Sequence, residues 1–276
     1  MELVGESAAK VLLVTSRTTF TRAPEYAGYG CRGGLASVPA GHRPAERVDP
    51  AAVRVELDAA DPDTRRELDD LPDRVLVADA DRRRGKGAAV TAGFEALDTE
   101  ILVFADADGS TPVRSLAQVI APVQRGEATL AAGSRRHPEA TVADHQTFAR
   151  RLLGDGFAWL ARRLLDVSLF DYQCGAKALT AEAWMGARDH IREPGFAWDV
   201  ELVAVVDALG GRVVEVPVDW EDQPNSTVSP VADALRIARG LLVARNRARA
   251  LRGDRPYDAR QTDEPALVER GDPTEE

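Results

Sequence analysis

Apolar and polar positions follow two alternating rhythms from residue 72 onward. Short apolar runs at residues 74–78, 101–105, 128–133 and 212–218 have the length of buried strands. Between them lie stretches of helical spacing. Val90, Phe94 and Leu97 fall at i, i+4 and i+7, Pro112 opens a helix at its tolerated first turn, and residues 199–209 run apolar until Gly210-Gly211 stops them. A long helix from an N-cap at Asp144 to Leu165, a strand over 174–179 and a short helix over 181–189 complete the series. Upstream, residues 10–15 and 53–58 read as two further strands. Buried strands between helices predict an α/β fold. Its doubly wound, mostly parallel sheet would gather ligands at the carboxyl ends of the strands. Residues 1–230 form one such domain in this reading.

The two ends break the rhythm. Residues 231–252 hold six arginines and one acid beside an apolar stripe of Leu235, Ile237, Ala238, Leu241, Leu242 and Ala244. Such a basic amphipathic helix suits either an anionic membrane surface or packing on the domain. Residues 254–276 hold eight acids and three arginines and read as a solvated, disordered tail from 253 onward. Residues 14–48 form a third anomaly, with two acids in 35 residues and no periodicity. We expect that stretch to be irregular, either a frame-shifted or degenerate replacement of an N-terminal strand and loop or else a genuine divergent insertion.

Composition narrows the class. With 44% hydrophobic and 29% charged residues the chain is a soluble globular protein, and no apolar run reaches membrane-spanning length. Two cysteines and the absence of a signal-like N-terminus make the cytoplasm the expected location. A net charge of -10 argues against a nucleic-acid partner. Of the 35 basic residues only Lys10, Lys86 and Lys177 are lysines, a usage that looks like a salt-adapted proteome. That scarcity singles out Lys86 and Lys177, both in glycine-punctuated loops.

The sharpest chemical signal is Asp106-Ala107-Asp108, two carboxylates one residue apart at the end of an apolar strand. Alternate residues at a strand end face the same way, so both can offer hard oxygen ligands to Mg²⁺ or Mn²⁺ on a diphosphate. A second Asp-x-Asp at Asp79 and Asp81 follows another strand. Upstream, Arg84-Gly85-Lys86-Gly87 joins cations to a helix N-terminus, an arrangement suited to phosphate.

The order of these features resembles family 2 inverting glycosyltransferases of the GT-A, nucleotide-diphospho-sugar transferase-like fold, most closely the polyprenyl-phosphate sugar synthases such as the dolichyl-phosphate glucosyltransferases. The resemblance runs from about residue 74 to 245. It rests on Arg84 to Gly87 with Gly93, on Asp106-Ala107-Asp108, on Gly133-Ser134-Arg135, on Asp171-Tyr172-Gln173-Cys174-Gly175-Ala176-Lys177, and on Phe196 to Leu202 followed by Glu215 to Trp220. It implies Asp106 and Asp108 as metal ligands. It also implies Asp58, Lys86, Gly87, Arg135, Gln173 and Lys177 around the nucleotide sugar and phosphate, with Asp58 near the base. Asp199, or else Asp171, would serve as general base if the acceptor is a hydroxyl.

The implied activity is metal-dependent transfer of a hexose, for example from UDP-glucose, to a polyprenyl phosphate or lipid-linked glycan. It would serve protein glycosylation as a peripheral enzyme on the cytoplasmic membrane face. The rival readings are an inactive or binding-only remnant of this fold and, third, a sugar-nucleotide nucleotidyltransferase.

Overall fold

The computed structural model describes residues 9–16, 48, 50–68, 71–143, 148–221, 230–254 and 264–270. Most of residues 14–48 lies outside these, and only its first residues are seen, ending strand β1 (Ala9–Ser16). Asp144 and the residues that join it to the long helix also lie outside them.

β1 and β2 (Pro50–Asp58) are followed by α1 (Pro62–Glu67), β3 (Val75–Ala80), α2 (Lys86–Glu95), β4 (Ile101–Asp106), α3 (Val113–Gln124) and β5 (Leu130–Ser134). Next come β6 (Thr141–Ala143), α4 (Phe148–Leu164), β7 (Ala176–Thr180), α5 (Ala181–Ala187) and α6 (Trp198–Ala208). β8 (Val213–Pro217), β9 (Asp219–Glu221) and α7 (Pro230–Leu251) close the series, with 3-10 turns at Arg188–His190 and Leu267–Glu269.

Seven strands form one sheet in the order β3-β2-β1-β4-β7-β5-β8, and β6 pairs with β9 in a small second sheet. β2, β3, β4, β5 and β8 run the same way, whereas β1 and β7 are reversed. The expected α/β sheet with helices on both faces is therefore present, carrying two reversed strands.

Strand periodicity decides what each face meets. On β4, Leu102 and Phe104 enter the larger core with Trp198, Leu202 and Leu241, while Ile101, Val103 and Ala105 face α3 through Leu116, Val119 and Ile120. Asp106 continues the Leu102–Phe104 side. Across the β4–β7 ladder Lys177 pairs with Phe104, so its side chain leaves the sheet on that same side. The register alone thus brings Asp106 and Lys177 to one face, beneath the N-termini of α2 and α6.

The C-terminal expectations change. Leu241, Ala244 and Ala248 of α7 are buried against the domain rather than presented to a membrane. Arg252 pairs with Asp166 and Asp207, and Arg247 with Glu201. Of the described stripe positions Leu241 and Ala244 are buried and Leu242 is exposed, as are Arg236 and Arg239. The tail is not wholly solvated either. At residues 264–270, Ala266 is fully buried, Leu267 N–H donates to the Ile191 carbonyl, and the Arg270 guanidinium donates to the Arg192 carbonyl. Ala266 and Leu267 gave the tail the apolar contact that its acidic composition hid. The rest of the tail beyond 254 is outside the described residues.

Candidate active site

Lys86 occupies the first turn of α2 and reaches the end of β4. Its Nζ lies 3.2 Å from Asp106 Oδ1 and 3.1 Å from Asp199 Oδ2, over the Phe104 ring at 4.8 Å. Lys177 Nζ holds the other oxygen of Asp199 at 2.9 Å and donates to the Cys174 carbonyl at 2.8 Å. The sequence-predicted residues Lys86, Asp106, Lys177 and Asp199 therefore form one chain of alternating charge.

The loop that carries Lys86 depends on glycine. Gly85 has φ +98°, and a Cβ there would strike the Pro194 carbonyl. At Gly87 a Cβ would meet the Glu193 carbonyl and the Trp198 side chain. Gly175 plays the same part below Asp106, because any Cβ would collide with that carboxylate. The glycines of both motifs thus let backbone and charged groups approach closely.

Asp106 is about a third exposed, whereas Asp199 is 1% exposed. Burial raises the Asp106 carboxyl above the ordinary carboxylate value against the pull of Lys86, and the negative fields of Asp108 and Asp199 add to the rise. Burial alone would raise Asp199 too, but Lys177 and Lys86 hold it below the ordinary value. Burial alone would lower Lys86, yet Asp106 and Asp199 raise it above the usual lysine range. Asp108 is exposed on the turn after β4, and its Oδ1 accepts the Ser110 N–H at 2.9 Å. Asp106 and Asp108 together are a site with negative charge in excess and an open side, which fits a divalent cation. Among the described residues no group of three or more side chains forms a complete metal cage. Asp79 and Asp81 do not join this site: Asp79 pairs with Arg65 on the surface.

A second unit lies at the end of β5. The Arg135 guanidinium grips Asp171 through two contacts, 2.7 and 3.1 Å, and faces the Trp220 ring at 5.5 Å. Burial opposes the Asp171 charge, but Arg135 holds its carboxyl down to about 2. The Asp171 segment is tied from below by Glu215, which accepts the N–H groups of Phe170 and Asp171 at 2.8 Å each. Gln173 donates its backbone N–H to Asp171 Oδ1 at 3.0 Å, so its predicted site position is set by that turn. The field of Asp106 reaches Arg135, which puts both units on one electrostatic region.

Three of the predicted residues are engaged inside the protein. Asp58 is fully buried and accepts the N–H groups of Arg84 and Gly85 at 2.6 and 2.8 Å, which shapes the Lys86 loop. Asp199 and Asp171 are paired with cations that hold both carboxyls below the ordinary carboxylate value, which weakens them as bases. The sequence reading missed Glu56, which pairs with Arg84 of the Lys86 loop, and Glu201 and Glu215, each of which accepts backbone N–H groups beside the site. The available signal was an acid set inside an otherwise apolar strand or helix, as Glu215 is within Val-Val-Glu-Val-Pro.

Beside Lys86 opens a cavity of about 340 Å³, lined by Arg83, Arg84, Phe196, Arg236 and Ile237 among others. Its walls join cations to apolar side chains.

Residues 57–165 match the model of Glycosyl transferase family 2. The chain is 34% identical over 198 residues to Glycosyltransferase AglD of Haloferax volcanii, a stretch covering 71% of this chain and 31% of that protein. It is 33% identical over 180 residues to the dolichyl-phosphate beta-glucosyltransferase of Mus musculus, covering 63% of this chain and 56% of the mouse protein. Among solved structures, glucosyl-3-phosphoglycerate synthase of Mycobacterium tuberculosis with Mn²⁺, UDP and glucosyl-3-phosphoglycerate aligns at TM-score 0.48 and 17% identity. That alignment covers 66% of this chain and 72% of the other. The chain therefore spans about a third of the first curated relative and a little over half of the second.

Proposed function

We propose that this chain, whose residues 57–165 belong to glycosyltransferase family 2, moves a hexose from a nucleotide sugar to a polyprenyl phosphate with inversion at the sugar carbon. The observation that carries the reading is the charge arrangement around Asp199. An acceptor hydroxyl would need a free carboxylate to take its proton, and both expected bases are locked into cation pairs. A phosphate monoester, with its second pKa near 6, arrives as an oxyanion at neutral pH and needs no such base.

In this mechanism the donor diphosphate lies against Lys86 and the α2 N-terminus, where positive charge meets the negative charge that develops on the leaving group. Asp106 and Asp108 would hold a divalent cation, which when bound neutralises the same diphosphate. Asp199 and Lys177 hold Lys86 from behind. Arg135, oriented by Asp171 and Trp220, turns its remaining N–H groups to the acceptor phosphate. An acceptor oxygen then forms a bond to the anomeric carbon from the face opposite the departing diphosphate. The carbon–oxygen bond to the diphosphate breaks, and the bonding pair leaves as nucleoside diphosphate.

The mouse relative's name gives dolichyl phosphate as its acceptor, which supports the phosphate reading. Among the described residues no helix is long and apolar enough to cross a membrane. In this reading the lipid acceptor is met at the cytoplasmic membrane face. Calorimetric titration of UDP-glucose with Mn²⁺ tests the donor half. Wild type should bind, with affinity lost in Lys86→Met and in Asp106→Asn. Unchanged affinity in both variants would remove the assignment.

A further inference from the structure

We propose that Glu201, together with Arg247, is a positioning residue that sets Lys86 through the strap of irregular backbone at 192–197. This rests on the reading of Lys86 as the diphosphate-facing cation. Glu201 lies within the apolar helix α6 at 1% exposure, two residues after Asp199 and turned away from it. Its Oε2 accepts the N–H groups of both Arg192 and Glu193, each at 2.8 Å. Its other oxygen meets the Arg247 guanidinium of α7, itself only 10% exposed. One buried carboxylate thus fastens the strap to two helices.

The strap in turn forms the seat of the Lys86 loop. The Pro194 carbonyl accepts the Ala88 N–H at 3.2 Å, and the Glu193 and Pro194 carbonyls press on Gly87 and Gly85, which flank Lys86. If Glu201 lets go, these carbonyls move, and the two glycines have no side chains of their own to hold the loop. Lys86 then loses its placement between Asp106 and Asp199. A buried acid with this many backbone and cation partners exceeds what α6 needs for packing, since its apolar neighbours Leu202 and Val205 already fill the core.

The chain's own lysine usage supplies the readout. Only Lys10, Lys86 and Lys177 carry amines on side chains, and Lys177 is fully buried. Acetic anhydride labelling of the full chain, read residue by residue by mass spectrometry, compares wild type with Glu201→Gln, Arg247→Gln and the double variant. The proposal expects Lys86 to label about tenfold faster in each single variant while Lys177 stays protected. The double variant should be no faster than the singles, because both act through one contact. With UDP-glucose and a polyprenyl phosphate, kcat should fall by a similar factor while the acceptor KM holds. Unchanged Lys86 labelling in folded variants would overturn the proposal. So would Lys86 and Lys177 becoming reactive together, which marks a general loss of packing. The labelling uses no substrate, so it can fail while the glycosyl-transfer reading stands, and the reverse.

Discussion

At the scale of single residues, Asp106 and Asp108 carry the strongest commitment. Asp108→Asn should lower turnover by about 100-fold, the scale of lost cation stabilisation, whereas Asp81→Asn leaves it within twofold. Steady-state rates at saturating Mn²⁺ check both. Burial holds the Asp106 carboxyl above the ordinary 3.8, so it takes up a proton at higher pH than a free carboxylate does. The acid limb of kcat/KM should therefore lie above that value and move to lower pH when Mn²⁺ is raised, since metal and proton compete for one carboxylate. Asp171 works in the opposite sense. Its pKa of about 2 against an ordinary 3.8 means that its pair with Arg135 stabilises the fold above pH 3.8 and is lost as pH falls through about 2. Asp171→Asn should cost about 3 kcal/mol near neutrality, and denaturant titrations should show that gap narrowing toward pH 2. The residues of this site were legible because diphosphate chemistry demands carboxylates, glycines and cations at short spacing. Their roles were less so. An acid's basicity depends on which cation the fold brings to it, and the lysines that silence Asp199 stand 113 and 22 residues away in the chain.

At the scale of elements, the strands and helices between residues 72 and 218 follow the sequence pattern to within a few residues. The 174–179 strand begins two residues later, at Ala176, because the Asp171–Gly175 turn is held by Glu215, Arg135 and Asp106. The ends were harder to read. An amphipathic helix has the same pattern whether its stripe meets lipid or protein, and it is the burial of Leu241, Ala244 and Ala248, with the ion pairs of Arg247 and Arg252, that shows α7 packing inward. This changes the membrane test. Any attachment through α7 should depend on Arg239 and Leu242, both exposed, and not on Arg247 or Arg252. Co-sedimentation with vesicles containing phosphatidylserine should fall with salt and with Arg239→Gln, each arginine near such a surface contributing about 1 kcal/mol. Binding that Arg239→Gln and Leu242→Asp leave intact would move the contact to another face.

At the scale of the whole molecule, sheet register is what turns distant motifs into one site. Lys177 opposite Phe104, and Asp106 on the same face, meet Lys86 at the N-terminus of α2 and Asp199 at the N-terminus of α6. In the proposed mechanism that arrangement suits an acceptor already carrying its negative charge. Mass spectrometry of the products formed from UDP-glucose and Mn²⁺ with polyprenyl phosphate, and in parallel with the corresponding uncharged polyprenol, tests this claim most directly. The account predicts a hexosylated polyprenyl phosphate, at a rate that levels off above the acceptor's second pKa near 6, and no product from the alcohol. Equal transfer to the alcohol, or a rate that keeps climbing with a protein group's titration above neutrality, would contradict it.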